Sequence, residues 1–559
     1  DLPALAITEV RPSTDPNAFA DPESVSGPDY GFMGITQTNL TPPDPHIAVG
    51  PTHVVLMTNG RISFYAKSGG AATFSATTDG ASGFWSSLGA TGFIFDPEVI
   101  FDPHSSRFMA MLCERGTNGN PYYLLAVSDD ADPNGTWFKY RFNVLSAAGG
   151  DTDIDSPNLG VDSQAVYLGS DFFGPDKYLV FIVEKAPLLT GGAPITRSLM
   201  ITGQQSIGLP VTYGAAPAQY MIEAFELPSN TQVRFHAITN PLGTPTRTTF
   251  DLNVPTYEQP ENPPQMGTTT RPETFESRFW SCVYRNGSLW ATHHTGAARV
   301  RQRWYQFDMQ NWPLSGTPTL VQSGDIDPGA TVRTYFGSIG VDAQNNVGLV
   351  FARSSPTEFI SMARAFRKAS DPLGTLTSAQ IMKVSTAADT SGRWGDYSGT
   401  VPDPTAAGAF WGYHEYRTTG WTTWVGLMGP CETPSIYCTA KTTSQGLTPS
   451  IGSTGEASLG LNNFHLTLVN GIPNANAVYF HAGTQGALPF HGGTKCVIGV
   501  TKRSPNFVLS ASGTTDQAVP VTLDDLGVQR CFQFYFRDPA HSDGTGVGLS
   551  DAVRVLFCP

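Results

Sequence analysis

PDPHIAVGPTHVVLMTN (residues 43–59) and FDPEVIFDPHSSRFMAMLC (residues 95–113) are built to one plan. Each carries an acidic residue at its start (Asp44, Asp96), runs into a short apolar strand, turns through Gly, Asn, Asp or Ser, and returns in a second apolar strand. Alternation of this kind over four to eight residues, bounded by turn formers, is the signature of antiparallel hairpins. The plan recurs as DSPNLGVDSQAVYLGSDF (155–172), ESRFWSCVYRNGSLWATHH (276–294), TYFGSIGVDAQNNVGLVFA (334–352) and GDYSGTVPDPTAAGAFWGYHEY (395–416). The starts at Asp44, Asp96, Asp155, Glu276, Tyr335 and Asp396 are 52, 59, 121, 59 and 61 residues apart. The double gap fits a degenerate copy, AQYMIEAFELPSNTQVRFHAI (218–238).

Further strand-like runs follow the hairpins: YYLLAVSDD and WFKYRFNVL in the second unit, RQRWYQFDM in the fifth, FISMARAF in the sixth. About four short strands per 50–60 residues cannot bury both sheet faces alone. Stacking the units in a closed ring buries them and leaves few exposed edges. The expectation is an all-β chain: an N-terminal extension over 1–40, a β-propeller of about seven blades over 41–430, a linker over 431–457 and a small β-sandwich over 458–559. The C-terminal strands are FHLTLVNG, AVYFHAG, KCVIGVTK, VPVTLDDL, CFQFYFRD and VRVLFCP.

Composition agrees. Gly (58) and Pro (43) supply turns, while 14% charged and 40% hydrophobic residues describe a packed chain rather than a disordered one. A net charge of −14 without basic runs argues against nucleic acid as partner. No apolar run approaches the 18 residues of a membrane helix. The opening Asp1-Leu2-Pro3 reads as a processed N-terminus. Five of the seven cysteines, Cys431, Cys438, Cys496, Cys531 and Cys558, fall in the last 130 or so residues without metal-ligand spacing. They read as disulfide formers in a secreted or cell-surface protein, and Cys113 and Cys282 as buried thiols.

No nucleophile elbow, zinc-protease, P-loop or dinucleotide motif is present. Candidate chemistry therefore lies where the innermost strands begin, because those loops converge on a propeller axis. Glu98, Glu276 and Asp396 are candidate acid–base groups and Tyr397 a candidate nucleophile. Arg278, Arg333 and Arg393, with Tyr335 and His46, are candidate ligand-binding residues, since a guanidinium fork holds a carboxylate or sulfate by paired hydrogen bonds. Asp151, Asp153 and Asp155 alternate as calcium ligands do, although Ser156 stands where an EF-hand has Gly. His293-His294 and His414-Glu415 read as packing groups. These features suggest a hydrolase or lyase acting on an acidic glycan, with a glycan- or protein-binding surface propeller, or a structural component of an extracellular assembly, as alternatives.

Two stretches resemble known families. SDDADPNGTW (128–137) is similar to the Asp-box of sialidase-like propellers, in which Asp and Trp lock a hairpin to its blade. YCTAKT (437–442), FHGGTKC (490–496), FYFRDP (534–539), LSDA (549–552) and the terminal FCP resemble a bacterial secreted C-terminal module appended to exported proteins. The resemblance implies export and no reaction. That family usually carries a cysteine where this chain has Leu447, which makes Cys431 the substitute partner of Cys438. One further bond is then expected among Cys496, Cys531 and Cys558.

Overall fold

A computed structural model describes residues 30–559 except 175, 204 and 205. Most of the expected N-terminal extension, including the processed-terminus reading, lies outside the described residues. The chain is all-β. Its helical content among the described residues is one four-residue α-helix, Lys185–Leu188, and two 3₁₀ turns.

The N-terminal part is a β-propeller. Four-stranded antiparallel sheets run from His46 to Thr77, Phe93 to Asn143 and Arg333 to Lys383. A nine-stranded sheet joins the sets Ile154–Thr202 and Ser281–Ile326 through one short strand, Val211–Tyr213, which pairs in parallel with both neighbours. The innermost strands touch in sequence order: His46–Val49, Phe93–Asp102, Ile154–Val161, Val211–Tyr213, Ser281–Arg285, Arg333–Val341, Gly399–Pro402, and back to His46–Val49. That contact cycle is the axis.

Between the sheets lie separate apolar layers. Val55, Phe64, Trp85, Val99, Phe108 and Leu112 fill one interface; Met109, Tyr123, Leu125, Leu159, Leu168 and Val183 fill the next. Each layer needs both neighbours to exclude water, so the ring is stable only when closed.

Closure comes from a segment the repeat pattern left out. Gly31–Thr36, expected in the extension, pairs antiparallel with Trp421–Met428 and completes the last sheet. Thr423 Oγ1 donates to the Ile35 carbonyl at 2.7 Å. The buried Lys67–Asp403 pair, at 2.9 Å, ties the first sheet to the last. The degenerate copy also lies differently. Residues 219–224 and 229–239 are outer strands of their sheet, and the inner position is taken by the preceding segment through the Gly208–Ile222 bridge. The Asp-box-like hairpin is locked as its resemblance implies. Asp129 Oδ1 accepts from the Thr136 amide at 2.9 Å, and Trp137 stacks on Phe64 of the preceding sheet.

The C-terminal unit faces a six-stranded sheet against a three-stranded one across Leu466, Leu468, Phe532, Phe534, Phe536 and Val553. The segment expected as linker is partly sheet: Ser435–Tyr437 joins the larger layer and Ser450–Thr454 the smaller. The disulfide expectation is corrected. Cys438 bonds Cys496 and Cys431 bonds Cys558, while Cys531 is a buried free thiol. The cause is topological. Ser435–Tyr437 lies on the Val547–Leu556 strand, which carries Cys438 toward the hairpin of Cys496 and leaves Cys431 beside the chain end.

Cys431–Cys558 spans 127 residues and staples the C-terminal unit to the end of the propeller. The same seam holds Leu526 packed with Trp411 and Ala406. Gly527, at φ 68°, lies so close to Ala406 and Ala407 that a Cβ would sit 3.0 Å from backbone. Replacing both Cys431 and Cys558 by Ser is expected to cost about 2–5 kcal/mol, the usual value of a long-loop disulfide. Calorimetry should show the C-terminal unit melting ahead of the propeller.

Candidate functional site

The entries to most of the inner strands repeat a backbone device. Asp44, Asp96, Ser156, Ser206 and Phe336 all take a positive φ between 48° and 57°. Several of these entries carry a β-bulge, at Phe95/Glu98, Asp155/Asn158 and Tyr335/Ser338. A bulge re-aims the side chain that follows it. Glu98, Asn158 and Ser338, which follow these bulges, line the axial cavity together with His46, Trp280 and Ser398.

Above that layer four aspartates converge. Asp44 is buried; its Oδ2 accepts from Asn59 Nδ2 at 2.5 Å and its Oδ1 from the Asp396 amide at 3.0 Å. Asn59 also accepts from the Asp96 amide, which locks the first two entries together. Burial, then the charges of Asp396 and Asp96, holds the Asp44 carboxyl well above the ordinary carboxylate range. Asp96 is likewise pushed well up, by burial first and then by the charges of Asp155 and Asp396. Asp396 is raised to about 6 by burial, against the pull of Arg393 and Arg278. The Asp396 Oδ1 is buried and has no hydrogen-bond partner.

The arginines are already engaged. Arg278 donates to Glu276 and to Ser156 Oγ, lies 3.8 Å from Asp171, and rests over the Trp280 ring. Burial pulls its pKa down, but Glu276 and Asp171 more than offset this and hold it above the ordinary value. Burial would raise Glu276, yet Arg278 keeps it below the usual range. Arg393 donates to Asp396 at 2.6 Å. Arg333 binds Glu261 at 2.9 Å and the Thr331 carbonyl. Arg278 and Arg393 therefore flank Asp396, and Arg333 belongs to a separate pair with Glu261.

Other candidates fall differently. Tyr397 edges against Trp280, and burial with the charges of Asp96 and Asp44 raises its phenol well above the ordinary value. Tyr335 is fully buried with its hydroxyl on Ser354, so it presents nothing to a ligand. Asp153 and Asp155 both face Arg115, and Asp151 faces Lys177. No set of three or more His, Cys, Asp or Glu poised for a metal occurs among the described residues. Each of these aspartates thus has a cationic side chain within 3.5 Å. His294 accepts from the Phe336 amide and His414 contacts the Phe336 carbonyl, so two buried histidines clamp one bulge residue. Burial takes both down to about 4.

Below the aspartates runs a cavity of about 630 Å³. Glu98 and His46 meet inside it, with His46 Nε2 3.3 Å from Glu98 Oε2. Burial raises Glu98 to about 8 and lowers His46 to about 4, so both are neutral at pH 7. None of Asp44, Asp96, Asp155 and Asp396 lines this cavity. Basin and channel are thus two sites on one axis. Glu98, Glu276 and Asp396 are the carboxylates given an acid–base role from sequence; Asp44 and Asp96 stand at the repeat entries without one, and Asp171 carries no sequence signal. The Asp-Pro doublets at 44–45 and 96–97 were the available signal.

No protein-family model matches the chain, and no curated protein matches it. Solved structures give distant overlaps. An exo-β-1,3-galactanase from Phanerochaete chrysosporium has 11% identity and a TM-score of 0.30, covering 94% of this chain and 100% of its own. Trypanosoma rangeli sialidase has 8% identity and a TM-score of 0.33, covering 83% and 91%. The WD40 domain of SCAP from fission yeast has 11% identity and a TM-score of 0.33, covering 68% and 83%. Values this low assign the chain no activity, and its architecture is read from its own sheets.

Proposed function

We propose that the chain is a secreted seven-bladed β-propeller, one blade to each strand of the axial cycle, that hydrolyses glycosidic bonds at the aspartate basin. The observation that carries the reading is the gathering of Asp44, Asp96 and Asp396 at the axis, where Asp44 accepts from the Asp396 amide at 3.0 Å and Asn59 joins Asp44 to the Asp96 amide. Glycoside hydrolysis needs one carboxyl that keeps its proton to deliver to the leaving oxygen and one that is ionised to activate water or attack carbon. Asp96 suits the first role, because burial and the negative neighbour Asp155 hold its proton. Asp396 suits the second, since it ionises at about 6 and Arg393 fixes it. Arg278, Arg333 and Arg393 each already pair with a carboxylate, Glu276, Glu261 and Asp396, which favours a neutral glycan over an acidic one. The two disulfides fit an oxidising, extracellular setting, and no described helix is long and apolar enough to cross a membrane.

Release of reducing ends from a panel of neutral and acidic polysaccharides tests this. The expected result is cleavage of a neutral polymer. Saturable binding without cleavage would make the basin a non-catalytic glycan receptor. Neither binding nor cleavage across the panel would remove the reading.

A further inference from the structure

The channel beneath the basin is a second chemical environment. Ile47, Val49, Ile100, Leu209, Val283 and Ile339 make its walls aliphatic. It leads out among the turns on the far side from the aspartates, past Pro51, Pro103, Asp342 and Thr405. At its inner end sit the Glu98 carboxyl, the Asn158 amide, the Ser338 and Ser398 hydroxyls and the Trp280 ring.

The other charged groups of the lining are matched. Asp403 pairs with Lys67. Asp342 accepts from the Gln344 and Asn346 amides of its own turn. Arg285, toward the far end, donates to the Val341 carbonyl and lies over Tyr213. Glu98 alone faces the inner space with only a neutral imidazole and the Leu159 amide for company. The groups packed around it are His46 on the first inner strand, Asp96 on its own strand, Cys282 on the fifth inner strand and Tyr178 beyond. None of them is a cation at neutral pH.

A cavity of about 630 Å³ is in the usual range for small ligands. An apolar tube closed by one acid and several hydrogen-bond acceptors is complementary to an ammonium head on a hydrocarbon body. A chain of net charge −14 draws cations toward it. We propose that the channel is a binding site for a small organic cation, an aliphatic amine whose ammonium is held at Glu98 and whose hydrocarbon body fills the tube.

The proton balance follows. At pH 7 Glu98 carries a proton, and an entering alkylammonium turns it into a carboxylate. The displaced proton leaves to the buffer, so binding one amine releases close to one proton. Affinity then rises about tenfold per pH unit up to about 8, where Glu98 ionises unaided.

Titration calorimetry with n-hexylamine, n-hexanol and hexanoate tests this in two buffers of different ionisation enthalpy at pH 6 and 7. The expected result is saturable hexylamine binding at least tenfold tighter than hexanol or hexanoate, with close to one proton released. Glu98→Gln should weaken hexylamine at least tenfold and leave hexanol nearly unchanged. The inference is overturned by no saturable hexylamine binding, by equal affinity for hexanol, by no proton release, or by undiminished binding in Glu98→Gln. If that variant does not fold, the proton count and the hexanol comparison on the unaltered protein decide.

Discussion

Asp96→Asn is expected to lower kcat/KM for glycan cleavage by about 10²–10⁴-fold, the usual contribution of a positioned general acid. The fold should be untouched. Asp96 already keeps its proton, so an amide of the same shape replaces it, and the repulsion from Asp155 and Asp396 disappears. The melting temperature should therefore hold or rise. The pH profile gives an independent reading. The acid works while protonated, so activity falls as pH rises through its raised pKa, and that alkaline limb vanishes in the variant. A loss of activity accompanied by a large fall in melting temperature would instead mark Asp96 as structural.

Removing the chain before Gln37 is expected to abolish the single cooperative melt of the propeller. The deleted strand Gly31–Thr36 is the outer strand of the last sheet, and Ile35 is buried with Leu56, Tyr413 and Val425. Without it the Trp421–Met428 edge is unpaired and the rings of Phe32 and Tyr30 leave Trp411. Unpaired edges also invite association between chains. The truncated protein should bind a hydrophobic dye and aggregate on size-exclusion chromatography. A monomeric protein with an unshifted melt would show that closure rests on the inner strands and the Lys67–Asp403 pair alone.

The repeats made much of the fold legible. Apolar and aromatic runs marked Pro121–Ser128, Trp137–Asn143, Arg301–Asp308 and Glu358–Arg367 as strands: the first is buried along its whole length, whereas Arg301–Asp308 alternates buried and half-buried residues. The closing strand was not legible. GFMGIT is short, carries two glycines, and finds its partner nearly 400 residues away, so nothing local marks it. The inner segment at Gly208-Leu209-Pro210 was missed for a related reason: its proline and glycine suppress the strand pattern, while the outer pair after it alternates well. Cys431 and Cys438 are neighbours in sequence, yet strand pairing sends them to opposite ends of the C-terminal unit.

The site was half legible. Position in the repeat marked Glu98, Glu276 and Asp396 as axial, and that depends only on where each inner strand starts. Which groups stay charged depends on burial and on partners from distant units, such as Asp171 beside Arg278 or Glu261 beside Arg333. Those pairings arise only when the ring closes.

The most direct test of the basin as a glycan-cleaving site is a crystal structure of Asp96→Asn soaked with an oligosaccharide from the polymer that the unaltered protein degrades fastest. The account predicts a sugar ring on the axis, its glycosidic oxygen within hydrogen-bond reach of the residue-96 amide and its anomeric carbon facing Asp396. A saccharide bound only on the outer rim or on the C-terminal unit, with the basin empty, would contradict it.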